Sequence, residues 1–395
     1  MPDYQFIDRQ HQLDLAATSL KDADCIAIDT ESSGYYTYFS ELCLIQVSSG
    51  GRHYIIDTLA GLDLAPLGPL CADAGITKIF HAAAADVGEL RRHLGFEFQN
   101  VFDTMLACRM LGHESCSLLS LVKLYKGVEL EKKEQKSNWK KRPLTRSQLD
   151  YAHLDTVYLE DLMQTMQKEL GDLGLAEELR EEVDRVVSLA GVDQEERVYD
   201  QDAWIRVRGS LDLPPEERGL LKELHAIRDR RARKENIAAF RLISNAGLLR
   251  LLRNRPASVE DLSRLRVANP VIVKKEGRRL LEALAAGAPA IGDNDLPRPP
   301  EQDPAIRPIL KRLKKWRGRV AEHRGMDPSL IISNKALYQL ARECPASVDE
   351  LASMELMTGW MLKNYGAYII QVVQGKYNGE LPAGLPRLPE ERRAG

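Results

Sequence analysis

Short apolar runs dominate the first 85 residues. Cys25-Ile26-Ala27-Ile28 ends at Asp29, and residues 42–47, 53–56 and 77–80 follow the same pattern. Each run is short and rich in β-branched or aromatic side chains, which predicts strands. After Asp86 the apolar positions fall at helical spacing over 86–94, 103–111 and 118–125. Residues 147–170 predict one long helix with Leu149, Leu154, Val157, Tyr158 and Leu162 on one side. Strands followed by helices predict a mixed α/β domain over residues 1–200.

From about residue 210 the pattern is helical throughout, and it repeats. Leu242-Ile243-Ser244-Asn245 matches Ile331-Ile332-Ser333-Asn334, and Pro256-Ala257-Ser258-Val259 matches Pro345-Ala346-Ser347-Val348. Arg228 pairs with Arg317 and Gly277 with Gly366, every pair 89 positions apart. One offset held without a gap predicts two copies of a small all-α domain, at 208–290 and 303–380. They form a tandem pair, since a solenoid needs several closely spaced repeats. Residues 290–304, with Pro297, Pro299, Pro300 and Pro304, predict a semi-rigid linker. Residues 381–395 predict a mobile tail.

Charge sharpens this division. Residues 1–200 carry 20 Lys and Arg against 34 Asp and Glu, and the remainder carries 35 against 24. An acidic part joined to a basic part suits cation binding in one and polyanion binding in the other, although solvated helix faces produce the same asymmetry. No run of eighteen apolar residues occurs, which predicts no membrane span. The N-terminus lacks the basic and apolar segments of a secretory signal. Cys25, Cys43, Cys71, Cys108, Cys116 and Cys344 include no Cys-x-x-Cys pair. They predict neither a zinc site nor a disulfide framework, but reduced thiols in a cytoplasmic protein.

The candidate chemistry begins at Asp29-Thr30-Glu31, where a strand run ends. Residues i and i+2 of a strand share a face, so two carboxylates project side by side. That is costly unless a cation sits between them, and hard divalent ions take such oxygen ligands. Asp86 follows the run Ile79-Phe80 where a helix begins, a place a plain N-cap would also explain. Tyr151 and Asp155 lie four apart on a predicted helix and share its face. A half-buried tyrosine beside a solvated aspartate is the ordinary alternative. Lys132, Lys133, Lys136, Lys140, Lys141, Arg142 and Arg146 surround Trp139 just before that helix. Such a mixture suits backbone contact and base stacking on a single strand, with a solvated loop as the plain alternative. Lys133, Lys136, Trp139 and Arg142 are the candidate substrate contacts. A second basic run, 228–234, lies on a predicted helix of the first repeat.

Asp29-x-Glu31, Asp86 and Tyr151-x-x-x-Asp155 together resemble the three exonuclease motifs of the DEDD superfamily, tyrosine branch. Within it the chain resembles ribonuclease D. Gln135-Lys136-Ser137-Asn138-Trp139, Arg142-Pro143-Leu144, Gln148-Leu149 and Tyr151-Ala152 are similar to that family's segment before the last motif. Leu44-Ile45-Gln46-Val47-Ser48 is similar to its second strand. The helical repeats resemble paired HRDC domains, and the resemblance spans about residues 4–377. Where the family usually has an aspartate this chain has Asn138, outside the metal-binding positions. The aromatic-Arg pair Trp316-Arg317 of the second copy is Ile227-Arg228 in the first.

The resemblance implies a ribonuclease H-like fold and 3′-to-5′ exoribonuclease activity. It implies two Mg²⁺ or Mn²⁺ ions held by Asp29, Glu31, Asp86 and Asp155, with Tyr151 orienting the attacking water. It also implies release of nucleoside 5′-monophosphates from RNA with a free 3′ end, such as precursor tRNA and other small stable RNAs. No obligate protein partner is expected. His81 and His153 are read as structural. A DNA 3′-5′ exonuclease would share these carboxylates, and a non-catalytic nucleic-acid scaffold would share the fold. The lack of polymerase or helicase segments and the complete carboxylate set with Tyr151 favour the ribonuclease.

Overall fold

The computed structural model describes residues 3–131, 133–191, 199–296 and 303–390. Six strands, β1 (Gln5–Ile7), β2 (Cys25–Ser32), β3 (Leu42–Ser49), β4 (Arg52–Asp57), β5 (Thr77–Phe80) and β6 (Val101–Asp103), form one mixed sheet in the order β1-β4-β3-β2-β5-β6. β2, β3 and β4 are antiparallel neighbours, whereas β1 joins β4 in parallel, β5 joins β2 and β6 joins β5. Parallel joins need crossovers, which helices supply. These are α1 (Gln10–Leu20), α2 (Gly68–Ala72) and α3 (Ala83–Leu94); α4 (Thr104–Met110), α5 (Leu118–Lys126), α6 (Arg146–Val157), α7 (Leu159–Asp172) and α8 (Ala176–Leu189) complete the domain.

The alternation of β2 sorts its side chains between two layers. Ile26 and Ile28 meet Leu20 of α1 and Leu90 of α3 on one face. Asp29 and Glu31 therefore project to the other face, which α6 crosses. β3 is buried at every position because both of its faces are covered.

Several expectations need correction. The first 85 residues are not strands alone. α1 buries Leu13, Ala16, Ala17 and Leu20, a helical stripe. The single helix expected over 147–170 is two, α6 and α7, meeting at Tyr158. β1 and β6 have only three residues each, too short to show a period. Cys108 and Cys116 form a disulfide rather than standing reduced: α4 and the turn after it bring their Cα atoms to 5.7 Å, within bridging range. Cys25, Cys43, Cys71 and Cys344 are free. Residues 381–390 do not form a loose tail, since Leu385 and Leu388 are buried and the Leu388 amide donates to the Arg324 carbonyl at 2.9 Å. The expected tail's residues 391–395, the linker's Pro297, Pro299 and Pro300, and Lys132 lie outside the described residues.

The C-terminal half folds as two helical bundles. The first comprises α9 (Pro215–Glu235), α10 (Ala239–Leu242), α11 (Asn245–Asn254), α12 (Val259–Arg264) and α13 (Pro270–Ala286). The second comprises α14 (Arg307–Arg324), α15 (Pro328–Ile331), α16 (Asn334–Glu343), α17 (Val348–Ser353) and α18 (Gly359–Val373). Each has its own apolar core. The repeated residues turn out to be structural devices. Ser244 and Ser333 cap α11 and α16, and Ser258 and Ser347 cap α12 and α17. Arg228 and Arg317 each donate to the carbonyl before that first serine, Ile243 and Ile332, at 2.9 Å. Gly277 and Gly366 let α13 and α18 approach Val259 and Val348. No described helix is long and apolar enough to cross a membrane.

Candidate active site

The site forms where β2 ends. Asp29, Glu31 and Asp155 offer ligand oxygens that all lie within 4.8 Å of one another. The first two come from β2, and a register shift between Glu31 and Ser32 turns the strand away just beyond them. Asp155 comes from α6, whose start is fixed by a capping box. The Gln148 amide donates to the Thr145 hydroxyl at 3.2 Å, and the Thr145 amide returns a bond to Gln148 Oε1 at 3.0 Å. Gln148 Nε2 also donates to Ser137 at 2.7 Å, tying the basic loop to the same helix. Tyr151, one turn before Asp155, is close enough to Asp155, Glu31 and Asp29 to feel their charge.

Asp86 reaches the site from the opposite layer. Thr30 points away from Asp29 and Glu31, toward α3, and both its amide and its hydroxyl donate to Asp86 Oδ1, at 3.1 and 2.6 Å. Asp86 is therefore fastened to the middle of the motif, but it lies outside the three-carboxylate cluster. Nor is it a helix cap. α3 begins at Ala83 behind Ala82, which sits in left-handed backbone at φ 71°. The buried Asp103 holds that turn by accepting from the amides of Ala82 and Ala83 at 3.0 and 2.9 Å, and it also caps α4. One buried carboxylate thus sets two helix starts and with them the height of Asp86.

Asp29, Glu31 and Asp155 are half-buried, and Asp86 is buried. Burial pushes Asp29 well above the usual carboxylate range, and the charges of Asp86, Asp155 and Glu31 add to it. Glu31 is raised likewise by burial, then by Asp155 and Asp86. Asp155 is pushed up to about 7 by burial and by Asp86. Asp86 also reaches about 7 through burial, against the lowering effect of the Thr30 bonds. No lysine or arginine among the described residues forms an ion pair with any of the four, so the donor set and its charge fit a divalent cation. Tyr151 is raised above 10 by burial and by Asp155, Glu31 and Asp29, so it stays a neutral phenol.

The expected substrate contacts fare differently. Trp139 is only 1% exposed and packs with Tyr4, Leu44, Ile55 and Ala152, so it is a core residue and not a stacking surface. Its apolar bulk outweighs the basic residues beside it, and replacing it with alanine costs about 3–5 kcal/mol. Arg142 grips Asp57 through Nε and Nη2 at 2.7 and 2.6 Å and donates to the carbonyls of Trp139 and Cys43. That paired guanidinium anchors the loop to β3 and β4 rather than facing a ligand. Lys133 is exposed and pairs with Glu131 at 2.5 Å. Lys136 is exposed with its ammonium 5.9 Å from the centre of the Tyr35 ring. The run 228–234 is mostly engaged as well: Arg228 is buried, and Arg231 binds Glu276 and Glu235. His81, lowered by burial, meets the Thr104 hydroxyl at 2.9 Å. His153 meets His53 edge to face and packs at a tilt against Tyr4. Thr30 and Asp103 are functional positions that the sequence signals only faintly, as a threonine within the first motif and an aspartate opening a helical stretch.

The sheet, the carboxylate cluster and the paired bundles define a 3′-5′ exonuclease. Residues 4–171 match the 3′-5′ exonuclease family, and residues 217–284 and 307–373 match the HRDC domain family. The chain belongs to the ribonuclease D family and is a 3′-5′ exoribonuclease. It is 30% identical to ribonuclease D of Granulibacter bethesdensis over 97% of this chain and 95% of that one. It is also 30% identical to ribonuclease D of Bartonella henselae over 96% and 92%. Its fold matches the crystal structure of Escherichia coli RNase D, described as an exoribonuclease involved in structured RNA processing, with a TM-score of 0.65 and 25% identity over 94% of this chain and 99% of that one.

Proposed function

We propose that the chain shortens RNA from its 3′ end by metal-assisted hydrolysis, releasing nucleoside 5′-monophosphates one at a time. The observation that carries this is the meeting of Asp29, Glu31 and Asp155 within 4.8 Å, with Tyr151 on the same helix face as Asp155. Asp29, Glu31 and Asp155 would hold one divalent ion, and Asp29 with Asp86 a second, Mg²⁺ or Mn²⁺. Bound ions of this kind activate water and stabilise charge on a leaving oxygen. The protein's own part is positional. Thr30 holds Asp86 against β2, the Thr145 cap fixes the angle of α6, and the neutral Tyr151 phenol orients the attacking water by hydrogen bonding. Lys133 and Lys136 lie on the exposed side of the loop before α6, where phosphates can approach.

Precursor tRNA and other small stable RNAs in the cytoplasm are the proposed substrates, in keeping with the structured-RNA processing described for the Escherichia coli relative. Purified protein given 3′-tailed RNA and Mg²⁺ should release 5′-monophosphates stepwise, and EDTA should stop it. Faster digestion of a matched DNA strand, or release of 3′-monophosphates, would refute this reading.

A further inference from the structure

The loop after Glu31, residues 33–41, reaches the first helical bundle and is docked there by specific bonds. The Tyr38 hydroxyl donates to Asp229 at 3.0 Å, the Phe39 amide to Asn236 Oδ1 at 2.9 Å, and the Ala238 amide to the Tyr36 carbonyl at 3.0 Å. Tyr38 supplies the apolar part and is 6% exposed. Three other rings at this junction are only partly covered: Tyr35, Phe39 and Phe240 are 39%, 38% and 46% exposed. Tyr35 and Phe240, one from each domain, have ring centres 5.2 Å apart.

Cations surround these rings. The Arg241 guanidinium lies 4.0 Å from the Tyr36 ring centre and 5.7 Å from that of Tyr35, and Arg233 lies 5.7 Å from Phe39. Lys136 approaches Tyr35 from the loop before α6, and the Tyr36 hydroxyl donates to the Lys136 carbonyl at 3.2 Å. None of the three cations has an ion pair with a described residue. Tyr35 is four residues past Glu31, so its Cα lies within about 14 Å of that residue. The junction thus joins the two chain segments that flank the carboxylates to a helix of the first bundle.

We propose that Tyr35 and Phe240, with Phe39 beside them and Arg241, Arg233 and Lys136 around them, form a stacking platform for single-stranded RNA, holding the nucleotides upstream of the 3′ end under attack. The proposal rests on the exoribonuclease reading. Partly exposed rings accept bases of any sequence, and the cations beside them, without ion pairs among the described residues, match the phosphates between the bases. Placing one ring on each domain makes the first bundle part of the substrate path.

The test is the affinity of the full-length protein for a labelled single-stranded RNA of about 12 nucleotides, measured by fluorescence anisotropy in EDTA. Tyr35→Ala and Phe240→Ala should each weaken binding by about fivefold or more, and Phe240→Trp should restore it. Leu124→Ala, which removes a still more exposed apolar side chain on α5, should bind like wild type. With Mg²⁺ present the loss should fall on KM rather than kcat. Thermal melts of the variants control for folding. Wild-type affinity in both alanine variants, or equal weakening in Leu124→Ala, would overturn the platform. A protein that binds RNA through these rings but digests none would instead overturn the exoribonuclease reading and leave the platform standing.

Discussion

The two helical bundles share one fold and repeat their capping serines, carbonyl-bound arginine and packing glycine at one offset, yet they attach to the nuclease domain by different means. The first bundle meets the loop beside the carboxylates through three hydrogen bonds and partly exposed rings. The second meets α8 through an ion pair that is almost wholly buried. Arg324 donates to both oxygens of Glu178 at 2.7 and 2.6 Å and to the Tyr365 hydroxyl at 2.7 Å, and its side chain is 0% exposed. Glu181 accepts from the Trp360 amide, and Met326, Leu330 and Leu388 join the core of the nuclease domain. The internal architecture was duplicated while the attachment surfaces diverged. One bundle is tied to the scaffold by a buried ion pair, and the other borders the active site through the buried Tyr38 ring and a few hydrogen bonds of modest strength.

The largest stability effect should come from breaking the buried pair. Arg324→Ala leaves Glu178 buried without its partner and should cost about 3–5 kcal/mol, read as a lowered denaturant midpoint. The Glu178→Ala/Arg324→Ala double variant should cost much less than the two single losses added together. Burial holds Glu178 above its usual range despite Arg324, which disfavours its charge, whereas burial lowers Arg324 but Glu178 and Tyr365 outweigh it and raise it, which favours its charge. The two directions differ in sign, so the weight rests on the geometry: side chains 0% and 3% exposed and bonded through both carboxylate oxygens leave each partner without solvent once the other is lost. If Arg324→Ala melts like wild type, the fixed-scaffold half of the comparison fails.

Acid should separate the bundles next. His225, on α9, is lowered to about 4, first by burial and then by Arg228. A histidine whose folded pKa is depressed contributes stability above its unfolded value near 6.5, and that contribution disappears as pH falls toward 4. The first bundle should therefore loosen between about pH 6 and pH 4 while the second holds, as hydrogen exchange of α9 and α14 would reveal. Equal loosening of both would contradict the contrast. The smallest effect belongs to the docking bonds of the first bundle. Asn236→Ala or Tyr38→Phe should cost about 1 kcal/mol each, with faster amide exchange at Phe39 and little change in the global melt.

Much of this was legible in the chain because it repeats or alternates. The 89-residue offset found both bundles, and the strand-end spacing of Asp29 and Glu31 placed two carboxylates on one face. What stayed hidden depended on pairings distant in sequence. Nothing near Trp139 or Arg142 signals that β3 and β4 will enclose the one and bind the other through Asp57 and Cys43. Arg324 reads as one more helix-end cation until α8 brings Glu178 to it. Asp86 was expected among the metal ligands with a cap as its rival. It is no cap, and Thr30 holds it from the far side of the sheet, a relation that needs strand alternation and the β5–α3 turn together.

The carboxylates of β2 and α6 work against folding, and a bound cation would relieve that cost. Their raised pKa values mean that the metal-free fold loses stability as pH rises from the ordinary carboxylate range near 4 to about 7, and the full penalty persists above it. The most direct measurement pairs Tm in EDTA and in Mg²⁺ with nucleotide release for wild type and Asp29→Asn. Asp29→Asn should melt higher than wild type in EDTA, gain little from Mg²⁺ and lose activity by at least about 10³-fold. An Asp29→Asn protein that keeps wild-type activity, or that responds to Mg²⁺ as wild type does, would contradict the cation-binding role.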